Sequence, residues 1–441
     1  MRATLRGMSA PAWGLAAALA LIAAAVIVPA AAGWSVFVDF PPLHARWAPR
    51  LGPGTLPSLV IGGLAVWFGA RLADRLRWRW LLLVAYGAGL AWLLSLAVVD
   101  GLDGIQTVLD LKTEYLRTAR AVTDLGATLR EYVDRIPLDS AHHWPVHIAG
   151  HPPGALLFFV GLVHLGLGSG LAAGLVVIVL AATTPVAVLV TLRRLGVEDA
   201  ARRVAPFLVI GTAAIWMAVS ADALFGAVAA WGLCCLALAA TSRRWFGIVG
   251  WSVAAGALLG YCVMFSYGLV LLAVPAVGIL IAARSWRALP GAIVAAAAVV
   301  LGFACAGFVW WEAYPVLVTR YWGGIASDRP ATYWLWGNLA ALTFSAGPIL
   351  GASIASAATA WQKGRWRGVR VVTILVAAAA ASILLADLSG MSKAEVERIW
   401  LPFVPWLLLG TALLPERWRR PGLAVQVVAA LLIEHLLATT W

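Results

Sequence analysis

The feature that most limits what this chain can fold into is a succession of apolar runs, each close to 20 residues long, divided by short polar segments. In lipid every backbone N–H and C=O must be satisfied within the chain, so a run of that length is stable as a membrane-spanning α-helix. Thirteen such runs occur, at approximately 12–32, 57–73, 80–99, 170–191, 204–219, 222–240, 246–264, 267–284, 289–311, 338–360, 369–387, 399–414 and 422–439. The fold class expected is therefore all-α: a polytopic membrane protein of about 13 transmembrane helices with extracytoplasmic juxtamembrane helices. Composition agrees. The chain is 62% hydrophobic and 12% charged, against roughly 45–50% and about 25% in soluble domains. The first run is read as a retained helix, not a signal peptide, because of its length and the spans that follow.

The formal charge of +12 would suggest a nucleic-acid partner in a soluble protein. Here it follows from the sorting of Lys and Arg to cytoplasmic loops, and no nucleic acid is expected. The four cysteines (Cys234, Cys235, Cys262, Cys305) lie in apolar runs without a CxxC pair. Neither disulfides nor structural zinc are expected from that pattern.

Charge sorting also decides one ambiguous segment. Residues 153–168 are apolar enough to pass for a further span. If they crossed, Arg193, Arg194, Arg202, Arg203, Arg243, Arg244, Arg284 and Arg287 would face outward. If they do not, these arginines face the cytoplasm with Lys363, Arg365, Arg367, Arg370, Arg417, Arg419 and Arg420, and only Asp74, Glu198, Asp199 and Glu416 among the acids join them. The second arrangement obeys the positive-inside rule. It makes 153–168 an interfacial or re-entrant helix and residues 100–169 one long outer loop with amphipathic stretches near 105–124 and 126–136. Two further outer loops follow, 33–56 and the aromatic 312–337.

The polar chemistry gathers on that outer side. Asp100, Asp103, Asp110 and Glu114-Tyr115-Leu116 follow the third span. Positive-inside sorting gives acids little weight, and a carboxylate here can act as general base toward a sugar hydroxyl; the alternative is solvated boundary charge. Four of the seven histidines lie in His142-His143-Trp144-Pro145-Val146-His147 and His151-Pro152-Pro153-Gly154. A proline-fixed loop aiming His147 and His151 into a polar cavity is favoured over a metal site, because Pro145 breaks the helix that would align His143 with His147. Ser220-Ala221-Asp222 sits between two spans, either as a helix N-cap or as a functional acid facing a cavity. In Glu395-Val396-Glu397-Arg398-Ile399-Trp400 an arginine lies on the side that disfavours it. Glu395 or Glu397 can pair it, or it can hold a lipid phosphate. Arg320 and Arg329 are further candidates for the phosphate, and the aromatic loop residues and Tyr267 for stacking on or contacting a sugar.

Taken together, Asp110 and Glu114-Tyr115-Leu116 after a span, His151-Pro152-Pro153-Gly154 opening an interfacial helix, Asp222 in the next outer turn and Glu397-Arg398-Ile399-Trp400 resemble the GT-C glycosyltransferase superfamily. The nearest likeness is to its protein O-mannosyltransferase and aminoarabinose transferase branch, where Lys/His-Pro-Pro-Leu opens a periplasmic juxtamembrane helix. The likeness covers about 80–420, so residues 1–79 read as a two-helix N-terminal addition to a GT-C-like domain at 80–441. It implies a polyprenyl-phosphate sugar donor, a cell-envelope glycan, lipid or protein acceptor, and inversion at the anomeric carbon. On that reading Glu114 or Asp110 is the base, and Asp222 orients the acceptor or helps bind a divalent cation. His151, His147, Arg398, Tyr115, Tyr267 and Arg320 contact substrate, with the active site on the extracytoplasmic face of the cell membrane. Two rival readings are a transporter or lipid flippase, which calls for charged or broken helices near mid-membrane, and a catalytically inactive membrane subunit of the same fold.

Overall fold

The structure, a computed structural model, describes residues 9–363 and 367–439; Arg365 lies outside them. The described residues are 74% helix with almost no strand. Among the described residues seven helices are long and apolar enough to cross a membrane, or up to nine if each of two bent pairs is one span. The seven are Ala10–Ala32, Thr55–Arg75, Trp78–Asp100, Gly170–Arg194, Ala221–Thr241, Trp245–Phe265 and Arg367–Leu388. Each coincides with an apolar run recognised in the sequence.

Five of the other six runs are interrupted, and the last is a continuous helix that ends in a strand. The run at 338–360 is two helices, Ala331–Ala346 and Ile349–Gln362, bent by 100°. Gly347, at φ +82°, followed by Pro348, stops the ladder there. Leu289–Cys305 meets Trp310–Trp322 at 74°, so much of the expected aromatic loop 312–337 is helical. Glu198–Val209 ends before a short turn of helix at Ala214–Met217. Tyr267–Leu272 and Leu408–Leu413 are 3₁₀ segments that extend short α-helices. Glu416–Leu436 carries Glu, Arg and Arg-Arg in its first turns and gives way to a strand, Leu437–Thr439. Against about 13 expected spans, seven helices, or up to nine, are long and apolar enough to cross a membrane among the described residues.

Helix Ala221–Thr241 forms the centre, buried along almost its whole length between Thr184–Arg194, Trp245–Phe265 and Ala273–Ala283. The peripheral Thr55–Arg75 leaves Leu59, Val60, Leu64 and Trp67 exposed, as a lipid-facing helix does. Ala10–Ala32 lies along Ile349–Lys363 with Gly14 against Gly351. A Cβ on Gly14 would come 2.1 Å from the Gly351 carbonyl oxygen, so only glycine allows this approach. The N-terminal segment is also tied to the C-terminus. Strand Ala45–Trp47 pairs antiparallel with Leu437–Thr439, Ala45 opposite Thr439.

Residues 100–169 are short helical pieces, not two amphipathic helices: Asp103–Gln106, Val108–Asp110, Tyr115–Ala121, Leu125–Arg130 and Val146–Gly150. They lead to Gly154–His164, an apolar helix of 11 residues. At about 1.5 Å per residue it spans about half of a hydrocarbon core. A Cβ on Gly154 would fall 2.5 Å from the Met264 carbonyl oxygen. That contact explains why glycine stands where the resembling motif has leucine.

Candidate functional site

Four separated parts of the chain meet around Arg398. Its Nη1 donates to Asp222 Oδ2 at 2.5 Å and its Nη2 to Glu395 Oε2 at 2.7 Å. Nη2 also lies 3.3 Å from His147 Nε2. A guanidinium only donates, so Nε2 accepts and the His147 proton sits on Nδ1. Nδ1 in turn lies 2.6 Å from Glu114 Oε1. Glu114 thereby holds His147 in one tautomer and one orientation, with the second nitrogen as acceptor.

Local structure explains each placement. Ser220 caps helix Ala221–Thr241 by accepting from the Ala223 N–H at 3.2 Å. Capping is thus done by Ser220, and Asp222 is left for Arg398. Ala394 and Glu395 both have positive φ, 72° and 61°, a strained conformation for residues with a Cβ. The turn they make lets Glu395 fold back onto Arg398. Tyr132 donates its hydroxyl to the Ile148 carbonyl at 2.9 Å, and Trp144 Nε1 donates to the Tyr132 carbonyl at 2.9 Å. These bonds fasten the short helix that carries His147.

The network continues to one side. Arg329, itself buried, donates to His44 Nε2 at 2.8 Å and to the Lys393 carbonyl at 2.6 Å. His44 lies 3.9 Å from Glu395. The side chains of Glu114 and Asp222 are 5% and 3% exposed, whereas those of His44 and Glu395 are 26% and 27% exposed. The network therefore opens to solvent at His44 and Glu395. Burial opposes the Glu395 charge, but Arg398, His147 and His44 outweigh it and bring the carboxyl down to about 2. Burial lowers the His44 imidazole against the pull of Glu395. Glu397, by contrast, is fully buried with no cation bonded to either oxygen, and burial pushes its carboxyl up to about 7 against the opposing pull of nearby backbone N–H groups of His44 and Glu397 itself.

Of the residues singled out in the sequence, Glu114, His147, Asp222 and Arg398 are brought into one network. Tyr115 and His151 border it: Tyr115 is stacked on Phe159 at 5.3 Å and stands edge-on to His151 at 6.2 Å. His151 Nδ1 is 2.9 Å from the Phe265 carbonyl, so that nitrogen carries the proton. Burial lowers its pKa despite Asp222 nearby. His151 is thus anchored at the edge of the network through its Nδ1 bond to the Phe265 carbonyl.

The other candidates are placed elsewhere. Asp110 pairs with Arg120 at 2.8 Å and accepts nothing from the network. Asp100 pairs with Arg50 at 2.6 Å, and Asp103 accepts from Gln106 at 2.8 Å. Of the four-acid constellation only Glu114 enters the site. Arg320 donates to the carbonyls of Ile136 and Trp144, a clamp on the histidine loop. Tyr267 is buried among Trp310 and Tyr314, 5.5 and 5.6 Å away, with its hydroxyl unbonded. His142 and His143 are exposed, and among the described residues no group of three or more His, Cys, Asp or Glu is arranged to hold a metal ion. Asp222, the acid expected to help a divalent cation, is engaged by Arg398.

His44 was not recognisable as a site residue: a lone histidine in the first outer loop carries no spacing signal. Glu395 was visible only as a possible partner of Arg398, three residues on.

Comparison with protein-family models, with curated proteins and with solved structures yields no match to this chain.

Proposed function

We propose that this membrane protein is a glycosyltransferase of GT-C type. It moves a sugar from a polyprenyl-phosphate donor to a cell-envelope acceptor on the extracytoplasmic face. The observation that carries the reading is the Glu114–His147 pair set against Arg398 and Asp222: an oriented base beside a buried cation, at the end of the helical bundle that holds most of the acids. As the phosphate draws Arg398 Nη2 away from His147 Nε2, the acceptor hydroxyl gives its proton to that freed nitrogen, with Glu114 stabilising the imidazolium that forms. The acceptor oxygen bonds to the anomeric carbon as the carbon–oxygen bond to phosphate breaks, and that electron pair leaves on the polyprenyl phosphate. Arg398 stabilises the charge that develops there. Glu395 is the more exposed of its two carboxylate partners, and so the one a phosphate displaces. Asp222 keeps the guanidinium in place throughout.

The test is transfer by the purified protein from polyprenyl-phosphate mannose and polyprenyl-phosphate arabinose in turn, following both labelled product and released polyprenyl phosphate. Glu114→Gln and His147→Ala should each lower the rate on the order of 10²–10⁴-fold. Unchanged rates in both variants would refute this assignment of the base.

The bent helix pair supports a second reading, movement of a lipid-linked substrate. At its break Gln426 donates to the Ala346 carbonyl and Thr212 to the Ser345 carbonyl, both at 2.7 Å. Discontinuous helices with such buried polar partners occur in transporters. Movement of lipid-linked sugar across proteoliposomes with no acceptor present would favour this reading over transfer.

A further inference from the structure

At the far end of helix Arg367–Leu388 from the site, Arg284, Arg367 and Arg370 surround a cavity of about 270 Å³ completed by Ala282, Ala283 and Val371. Helix packing brings them together. Gly278 lets helix Ala273–Ala283 approach Arg367–Leu388 closely, since a Cβ there would lie 3.0 Å from the Ala378 Cβ. The end of the first helix thus meets the start of the second.

Three features of the cavity favour an anion, and the three arginines are exposed, so an anion from solvent or the membrane surface can reach them. First, among the described residues no carboxylate or other acceptor binds any of the three guanidinium groups. The nearby Glu198 is already taken by Arg193 at 2.9 Å and Arg202 at 2.7 Å, and Asp199 makes no ion pair among the described residues. Second, Arg367 and Arg370 stand in the first turn of their helix, where the macrodipole opposes positive charge and favours negative. Third, Arg284 ends its helix at φ 54°, ψ 38°, a left-handed conformation usually given to glycine. Its side chain therefore projects from a strained position into a ring of like charges. Beside the Arg367 side chain, a Cβ at Gly196 would come 3.2 Å from the guanidinium, so the turn at Gly196 leaves room for that group.

We infer that this cavity binds a phosphate group, either the phosphodiester of an anionic membrane lipid or a free phosphate. Planar guanidinium forks suit phosphate oxygens, and basic pockets between helices at a membrane boundary hold anionic headgroups. The sorting of arginines across the membrane explains their side but not their convergence. Arg243 and Arg244 satisfy that sorting equally and serve as the control.

The experiment is native mass spectrometry of the detergent-purified full chain with phosphatidylglycerol, phosphatidylcholine or inorganic phosphate, each alone and in competition. The wild type should retain phosphatidylglycerol in preference to phosphatidylcholine. The R284A/R367A/R370A variant should lose about tenfold or more in that affinity, while R243A/R244A keeps it. Displacement of the lipid by inorganic phosphate at millimolar concentration assigns the cavity to free phosphate, and resistance to it assigns the lipid. Equal retention by the wild type and the triple variant, or equal loss in R243A/R244A, overturns the inference. Should the triple variant not fold, R367Q/R370Q, which keeps the side-chain bulk, answers the same question.

Discussion

Removing Arg398 tests whether the buried network is coupled as the geometry says. Arg398→Met takes away the partner of two carboxylates. Glu395 is 27% exposed and can rehydrate. Asp222, 2% exposed, cannot, so the cost falls on Asp222. Breaking a buried pair by removing one member typically costs about 3–5 kcal/mol, because the remaining charge is left uncompensated. The remedy follows from the same contact. Asp222→Asn removes the stranded charge, so Arg398→Met with Asp222→Asn should recover about 2 kcal/mol or more of that loss. Arg398→Met with Glu397→Gln should recover none of it through Arg398, since Glu397 makes no bond to the guanidinium. The measurement is equilibrium unfolding in mixed micelles, comparing both double variants with their single variants. If Arg398→Met and Asp222→Asn prove additive within about 0.5 kcal/mol, the pair is not coupled and the reasoning fails.

Other outcomes follow from the same structure. Asp110→Asn should leave transfer unchanged while Glu114→Gln abolishes most of it, because Asp110 faces Arg120 and Glu114 faces His147; steady-state rates of the two variants decide. The Glu397 carboxyl is raised from 4.5 to about 7 by burial, so its contribution to stability is complete below about pH 4.5 and lost as pH rises through about 7. Glu397→Gln should remove a fall on the order of 3 kcal/mol between about pH 4.5 and 7, and a stability curve with the same slope in wild type and variant across that window would disprove it. Gly154→Leu should lower stability by about 1–3 kcal/mol or more through overpacking against Met264, seen as a lower unfolding midpoint; a neutral result would mean the close approach at Gly154 is absent.

The parts of the molecule that were legible beforehand are those set by local chemistry. An apolar run of 20 residues can only be a helix in lipid, and seven of the runs are single long helices. The interruptions were less visible because they depend on where a break is tolerated. Gly347-Pro348 can bend a chain anywhere, but the 100° turn persists because Gln426, from a helix far along the chain, satisfies the Ala346 carbonyl freed by it. Local chemistry also marked out Glu114, His147 and Asp222 as candidates among the polar groups of the outer segments, and Arg398 as a cation on the side that disfavours it.

What it did not assign was partnership. Asp110 and Glu114 are four residues apart and chemically alike, yet one faces Arg120 and the other His147. Arg398 has Glu397 beside it in sequence but bonds Asp222, at a separation of 176 residues. His44 joins because a strand next to it pairs with the C-terminal strand. The sequence by itself determined a helical chain with helices long and apolar enough to cross a membrane, since this follows from transfer of each residue between water and lipid. Only the tertiary structure decided which acid meets which base. A carboxylate gains as much from any cation within reach, and reach is set by how the helices pack.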